Sequence, residues 1–232
     1  CSPRSFAWPR VDLVRLSCGV ARRLRHAELH SSRRRAYPMG MPATTERHWL
    51  PADLEQFPEG DGCKYECIDG ELLVTPAPRV VHVAALAHLS LLFELGLKGG
   101  GPTPRVIPSR ADLRPELTTV VEPDLLVLRA PITAKTRLDG PDCAVLIAEV
   151  LSPSTAKRDR GIKRMLYQRV GVPEYWIVDL EARLIERWTP SDARPEILRE
   201  RLAWTDPVSG AELVLDVERY FAAVWGDRSP EA

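Results

Sequence analysis

Net charge is the first thing this chain lacks. Its 32 Lys and Arg balance 32 Asp and Glu across 232 residues. The whole molecule is therefore no electrostatic magnet for nucleic acid or for an anionic membrane. Cysteine is scarce as well: five are present, an odd number without the density of a disulfide scaffold. Cys63 and Cys67 are close enough in sequence to suggest a bridge or a metal site. On one strand, however, four residues span roughly 13 Å, and a disulfide needs Cα atoms within about 7 Å. No His or further Cys lies nearby to complete a zinc site. Buried free thiols are the expectation, and a reducing cytoplasm fits them. No basic start, apolar core and cleavage site occur together at the N-terminus, so secretion is not expected.

Long apolar runs are also rare. The one of spanning length is "VVHVAALAHLSLLFELGL", residues 80–97. His82, His88 and Glu94 interrupt it, and Gly99 to Gly101 end it. A core helix is the expectation, with no membrane partner.

What is present is unevenly placed. Residues 1–38 hold nine Arg and two acidic residues, an excess that the rest of the chain offsets. They show little hydrophobic periodicity, and Met39 and Met41 come next. The expectation is a basic tail over 1–38, either a disordered arm or upstream translation, with the domain over 39–232. A basic DNA-binding arm is the rival reading.

From Pro51 the pattern becomes regular. "PADLEQFPEGDG" predicts a short amphipathic helix and a loop. "KYECIDGELLV" predicts a hairpin turning at Asp69-Gly70. That turn pairs Ile68 with Glu71, Cys67 with Leu72 and Glu66 with Leu73. Tyr65, Cys67, Leu72 and Val74 are expected on the core face. A helix over 79–96 follows, then strands in "PRVIPSRADLRP", "VEPDLLVLRA" and "CAVLIAEVLS". The last is a continuous apolar run, so Leu146 and Ile147 are expected to be buried on opposite faces of a central strand. "SPSTAKRDRGIKRMLYQRVG" predicts a helix capped by Ser154 or Thr155 and ended by Gly171. Strands in "EYWIVDL" and "RLIERWT", a strand near 212–215 and a helix near 216–225 complete an α/β domain with a mixed β-sheet flanked by helices.

Three features converge chemically. Asp124 follows Pro123 at the start of an apolar strand. Glu149 lies late in the neighbouring buried strand, where a carboxylate is costly unless something replaces its water. Asp159, Lys163 and Tyr167 share one side of the next helix, beside a stripe of Ile162, Met165 and Leu166. Two carboxylates at adjacent strand ends form a hard-oxygen cage suited to Mg²⁺. A nearby ammonium suits phosphodiester hydrolysis. Spacing leaves two bland alternatives open: Asp159 and Lys163 as a surface pair, and Glu149 paired with Lys163 as structure.

The stretches "YECIDGELLV", "EPDLLVL" and "AEVLSPSTAKRDRGIKRMLYQRVGVPEYWIVD" resemble the Uma-two family, described as putative restriction endonucleases, a branch of the PD-(D/E)XK nuclease superfamily. The similarity runs from about Leu54 to Phe221 and leaves out 1–38. It implies a restriction-endonuclease-like core cutting DNA, with Asp124 and Glu149 as metal carboxylates for Mg²⁺, for which Mn²⁺ substitutes. The superfamily lysine two positions after the Glu is Leu151 here, and Lys163 is the relocated lysine. Glu66 matches the family's N-terminal glutamate, as a further metal ligand or a support. Tyr167 and His82 fall at family-like supporting positions. Nucleases of this superfamily often act as dimers, so a homodimer is in view. "KRDRGIKR", residues 157–164, reads as a phosphate-contacting patch or a solvated face. The runner-up reading is a catalytically silent nuclease-like fold that binds nucleic acid or protein.

Overall fold

The computed structural model describes residues 48–58, 60–97, 105–108 and 111–227. The expectations for the basic tail, for Met39 and Met41 as starts, and for the glycine run at 99–101 lie outside the described residues.

A 3-10 turn, Pro51–Gln56, leads to the hairpin β1 (Lys64–Ile68) and β2 (Glu71–Thr75). Its register is the expected one, with Glu66 opposite Leu73 and Cys67 opposite Leu72. Asp69 and Gly70 both take positive φ, 51° and 86°, as a tight two-residue hairpin turn demands. At Gly70 the packing adds a second constraint, because a Cβ would lie 2.0 Å from His48 Nδ1.

The expected core face of this hairpin is overturned. Glu66, Ile68 and Leu73 are buried, while Val74 is exposed and Tyr65 and Leu72 are half-buried. Alternation fixed which residues share a face, but not which face turns inward. Glu66 can turn inward because Lys163 meets its charge, 2.9 Å away. The Tyr65 face is covered locally instead, by a Phe57 ring stacked at 4.2 Å. Cys67 is buried on that side against the Trp49 carbonyl, Cys63 is half-buried, and both are free thiols.

Helix α1 (Val80–Gly96) follows, then β3 (Val106–Pro108), β4 (Leu113–Glu116), β5 (Thr119–Val121), β6 (Leu125–Leu128) and β7 (Ala144–Val150). A continuous helical stretch runs through α2 (Ala156–Arg158), a π turn (Asp159–Lys163) and α3 (Arg164–Arg169). The chain ends in β8 (Glu174–Asp179), β9 (Leu184–Trp188), β10 (Glu196–Leu198), β11 (Arg201–Thr205), β12 (Glu212–Asp216) and α4 (Val217–Trp225). No described helix is long and apolar enough to cross a membrane.

Six strands form the main sheet in the order β10-β9-β8-β7-β6-β3. Among the described strands of this sheet, β7 and β8 alone pair in parallel, joined by the helical crossover, and the other pairs are antiparallel. A second sheet runs β2-β1-β5-β4, and β11 with β12 forms a ribbon. β7 is central and entirely buried. Leu146 packs into the core with Phe93 of α1 and Phe221 of α4, whereas Ile147 packs into the core with Leu166 and Tyr167 of α3. The expected two-sided burial is thus observed. One register slip between Val127 and Leu128 lets β7 carry an extra residue near Val145.

Strands β5, β10 and β11 were not expected. β5 and β10 have three residues each, too few to show a period. β11 does alternate, with Leu202 and Trp204 buried between exposed neighbours, but charged text surrounds it. The helix after β7 also departs in detail. Thr155 sits at its N-cap without a capping side-chain bond, and Met165 is exposed rather than part of the buried stripe. Gly171 ends it at φ 75°, as expected.

Candidate active site

The antiparallel pairing of β6 with β7 sets Leu125 opposite Ala148. Asp124, one residue earlier, therefore lies beside Glu149 at the same end of the sheet. The two expected carboxylates are brought together by this register alone. Asp124 Oδ2 accepts the Val150 backbone N–H at 2.9 Å and meets His82 Nε2, from the first turn of α1, at 3.0 Å. Asp124 is thereby tied both to the helix and to the strand that carries Glu149.

The helical stretch after β7, with its π turn, aims three more groups at this point. A π turn widens the helix by a residue and recurs at functional sites. Asp159, Lys163 and Tyr167 are all buried, so the shared side read from the sequence is real and faces inward. The surface-pair alternative for Asp159 and Lys163 does not hold. Lys163 Nζ lies 2.8 Å from Glu149 Oε1 and 2.9 Å from Glu66 Oε1. The Tyr167 hydroxyl donates to Glu149 Oε1 at 3.3 Å. Glu66 Oε1 also accepts the Glu122 backbone N–H at 2.8 Å, which links β1 to the approach of β6.

Lys64 joins the cluster unannounced by the sequence reading. Its Nζ donates to the Glu122 carbonyl at 2.8 Å and lies 3.7 Å from Asp124 Oδ1 and 3.9 Å from Glu66 Oε2. The signal was available: Lys64 is two residues from Glu66 on the same strand, hence on the same face.

These groups line a cavity of about 410 Å³, walled by residues 75–86 on one side and 149–159 on the other. Four carboxylates (Glu66, Asp124, Glu149 and Asp159) and two ammonium groups (Lys64 and Lys163) reach it, with Arg79 and Arg158 also in its lining. The environment splits the two central acids. Burial pushes the Glu149 carboxyl up to about 8, against the opposing pull of Lys163. Burial acts the same way on Asp124, but the His82 hydrogen bond and the Lys64 charge outweigh it and hold that carboxyl at about 2. Burial also raises Asp159. It works against the Lys163 charge, yet Glu149 and Glu66 keep that ammonium well above the usual lysine range. Adjacent acids with separated affinities for protons are typical of chemical sites.

Among the described residues, no group of three or more His, Cys, Asp and Glu side chains stands ready-made as a metal cage. The donor chemistry nevertheless suits a hard divalent ion. Asp124 and Glu149 offer carboxylate oxygens on adjacent strand ends, and Glu149 meets both of its protein donors through Oε1 alone.

Of the two readings open for residues 157–164, the solvated face fits Lys157 and Arg160, which are exposed. Arg160 is held by Asp179 and by Glu186, at 2.7 Å and 2.6 Å. Arg164 lies over the Trp188 ring at 4.8 Å, and Lys163 is buried in the acid cluster. Arg158 donates to the Val74 carbonyl at 2.9 Å. Helical periodicity spread these cations around the axis: Lys157 is exposed, and Arg158 reaches the cavity lining.

A crystal structure of a "putative nuclease belonging to DUF820" from Anabaena variabilis superposes with a TM-score of 0.59 at 18% identity, covering 75% of this chain and 97% of that one. At that identity the likeness establishes the mixed α/β fold. No curated protein matches the chain. The Uma2 family, described as "Putative restriction endonuclease", matches residues 51–218. That span is most of the chain, with the hairpin, both sheet-end carboxylates and the crossover helix inside it, and the chain belongs to the Uma2 family.

Proposed function

We propose that this protein is a divalent-metal-dependent endonuclease that hydrolyses DNA phosphodiester bonds in the cavity between α1 and the β7–α2 segment. The observation that carries this reading is the placement of Asp124 and Glu149 side by side at a cavity where carboxylates outnumber buried ammonium groups. Two neighbouring carboxylates withdrawn from water repel each other, and a divalent cation between them is a fitting counter-charge.

Asp124 and Glu149 would hold Mg²⁺, with Mn²⁺ as a substitute. When bound, the ion supplies Lewis acidity toward a phosphoryl oxygen and a more acidic water. The remaining work belongs to the chain. His82 and the Val150 N–H fix Asp124 Oδ2. Lys163 and Tyr167 fix Glu149 Oε1. Glu66 holds Lys163 from the other side, so we assign it as a support rather than a ligand. Hydrolysis forms a bond from a water oxygen to phosphorus and breaks the bond from phosphorus to the leaving sugar oxygen. One water proton ends on that leaving oxygen, and a phosphate monoester and an alcohol result.

One observation favours the alternative, a silent nuclease-like fold: Lys163 already compensates Glu149 without a metal. Purified protein incubated with supercoiled plasmid and Mg²⁺ or Mn²⁺ separates the two. Metal-dependent nicking lost in EDTA supports the nuclease. Protein that binds DNA or a protein partner but neither binds metal nor nicks belongs to the silent fold.

A further inference from the structure

We propose that Lys64, and not Lys163, is the lysine that contacts the scissile phosphate. This rests on the nuclease reading above and assigns the substrate-facing cation within the same cavity. The two ammonium groups have different surroundings. Lys163 is 3% exposed and sits within hydrogen-bonding reach of two carboxylates, at 2.8 Å and 2.9 Å. Its charge is spent inside the protein, and moving it toward a substrate would strand both acids. Lys64 is 13% exposed at the cavity wall. It makes one short bond, to the neutral Glu122 carbonyl at 2.8 Å. Its carboxylate neighbours, Asp124 and Glu66, stand back at 3.7 Å and 3.9 Å, beyond hydrogen-bond length.

An ammonium carries three N–H donors, so Lys64 keeps donors for an incoming anion. It also flanks Asp124, so a phosphate drawn to a cation at Asp124 arrives within its reach. As water attacks phosphorus, negative charge grows on the non-bridging oxygens. Lys64 meets that charge with its N–H donors and neither gains nor loses a proton in the step. Strand β1 presets its position, which lowers the reorganisation cost at the moment of reaction.

The test compares Lys64→Met, Lys64→Gln and Lys64→Arg with the wild type. Four quantities are read: kcat and KM for nicking, Mn²⁺ affinity by calorimetry, and melting midpoint. Loss of one preorganised donor to a transition-state charge lowers kcat by about 100-fold. The uncharged variants should show that loss with KM changed less than about threefold and Mn²⁺ affinity not weakened, the signature of a group acting in the transition state. Lys64→Arg, which keeps the charge, should recover at least roughly a tenth of the lost rate. Uncharged variants that nick within about threefold of the wild-type rate overturn the assignment and leave the nuclease reading standing. A melting midpoint lowered by more than about 5 °C in both uncharged variants makes Lys64 a structural residue and also overturns it. Wild-type protein that neither binds Mn²⁺ nor nicks overturns both readings together.

Discussion

Lys163 Nζ lies as close to Glu66 as to Glu149, at 2.9 Å and 2.8 Å. One buried ammonium thus clamps two carboxylates that come from different sheets, β1 and β7. The clamp explains how both acids tolerate burial, and why β1 presents its charged face to the core. It also alters how variants read out. Neutralising Glu149 leaves Lys163 paired, because Glu66 still holds it.

Lys163→Met should therefore be costly in a specific way. Glu66, and at alkaline pH also Glu149, lose their counter-charge, and breaking such a network costs about 3–5 kcal/mol when both acids are ionised. Urea unfolding of the single variant and of Lys163→Met with Glu66→Gln checks this. The double variant should recover part of the loss, because one of the stranded charges is gone. A Lys163→Met protein as stable as the wild type contradicts the clamp.

Asp124→Asn and Glu149→Gln should each abolish metal-dependent nicking while the proteins remain folded. Glu149 supplies a pH signature as well. Burial pushes its folded carboxyl up to about 8, above its ordinary 4.5. A raised pKa gives stability that is full below the unfolded value and lost as pH rises through the folded one. Metal-free wild type should thus lose stability between about pH 4.5 and 8, and Glu149→Gln should lack that decline. Melting scans in EDTA across this range decide it. Parallel curves for the two proteins would show that Glu149 stays ionised throughout.

Asp206 predicts the opposite slope. It is fully buried between β11 and β12. Burial works to raise its carboxyl, but Ser209, the Val208 N–H and Arg105 outweigh it and lower it below the ordinary 3.8. A depressed pKa contributes stability above the unfolded value and loses it as pH falls through the folded one. Asp206→Asn should cost about 2–3 kcal/mol at pH 7, the worth of charge-assisted bonds. The gap to wild type should narrow below about pH 3.8. Denaturant unfolding at pH 7 and pH 3 gives both values.

Leu146→Asp and Ile147→Asp should each prevent soluble expression, since either places an unpaired charge in a core. Soluble, folded protein from both variants is incompatible with β7 as a strand buried on both sides.

We further propose that residues 1–38 are dispensable to the domain, given the change in composition at Met39. A chain beginning at Met41 should keep its melting midpoint to within about 2 °C, less than the shift expected from 1 kcal/mol in a domain of this size. A larger loss, with unaltered aggregation, would mean that the arm packs on the domain.

Local structure was legible in the residues wherever a period or a turn was strong. The Asp69-Gly70 turn set the hairpin register, because only a two-residue turn with positive φ fits there. The unbroken apolar run of β7 announced burial on both faces, and helical spacing placed Asp159, Lys163 and Tyr167 on one side. Motif text made the family legible. Tertiary structure decided what local patterns leave degenerate. Alternation in β1 is equally consistent with either face inward, and Lys163, ninety-seven residues after Glu66, broke the tie. The same long-range packing withdrew Arg160 and Arg164 from the supposed phosphate patch, since their partners lie on β8, β9 and the strand-end ring of Trp188. It also brought Lys64 to Asp124, sixty residues away. Charge–charge energies depend on distance and burial in space, and neither is written in the spacing of a linear sequence.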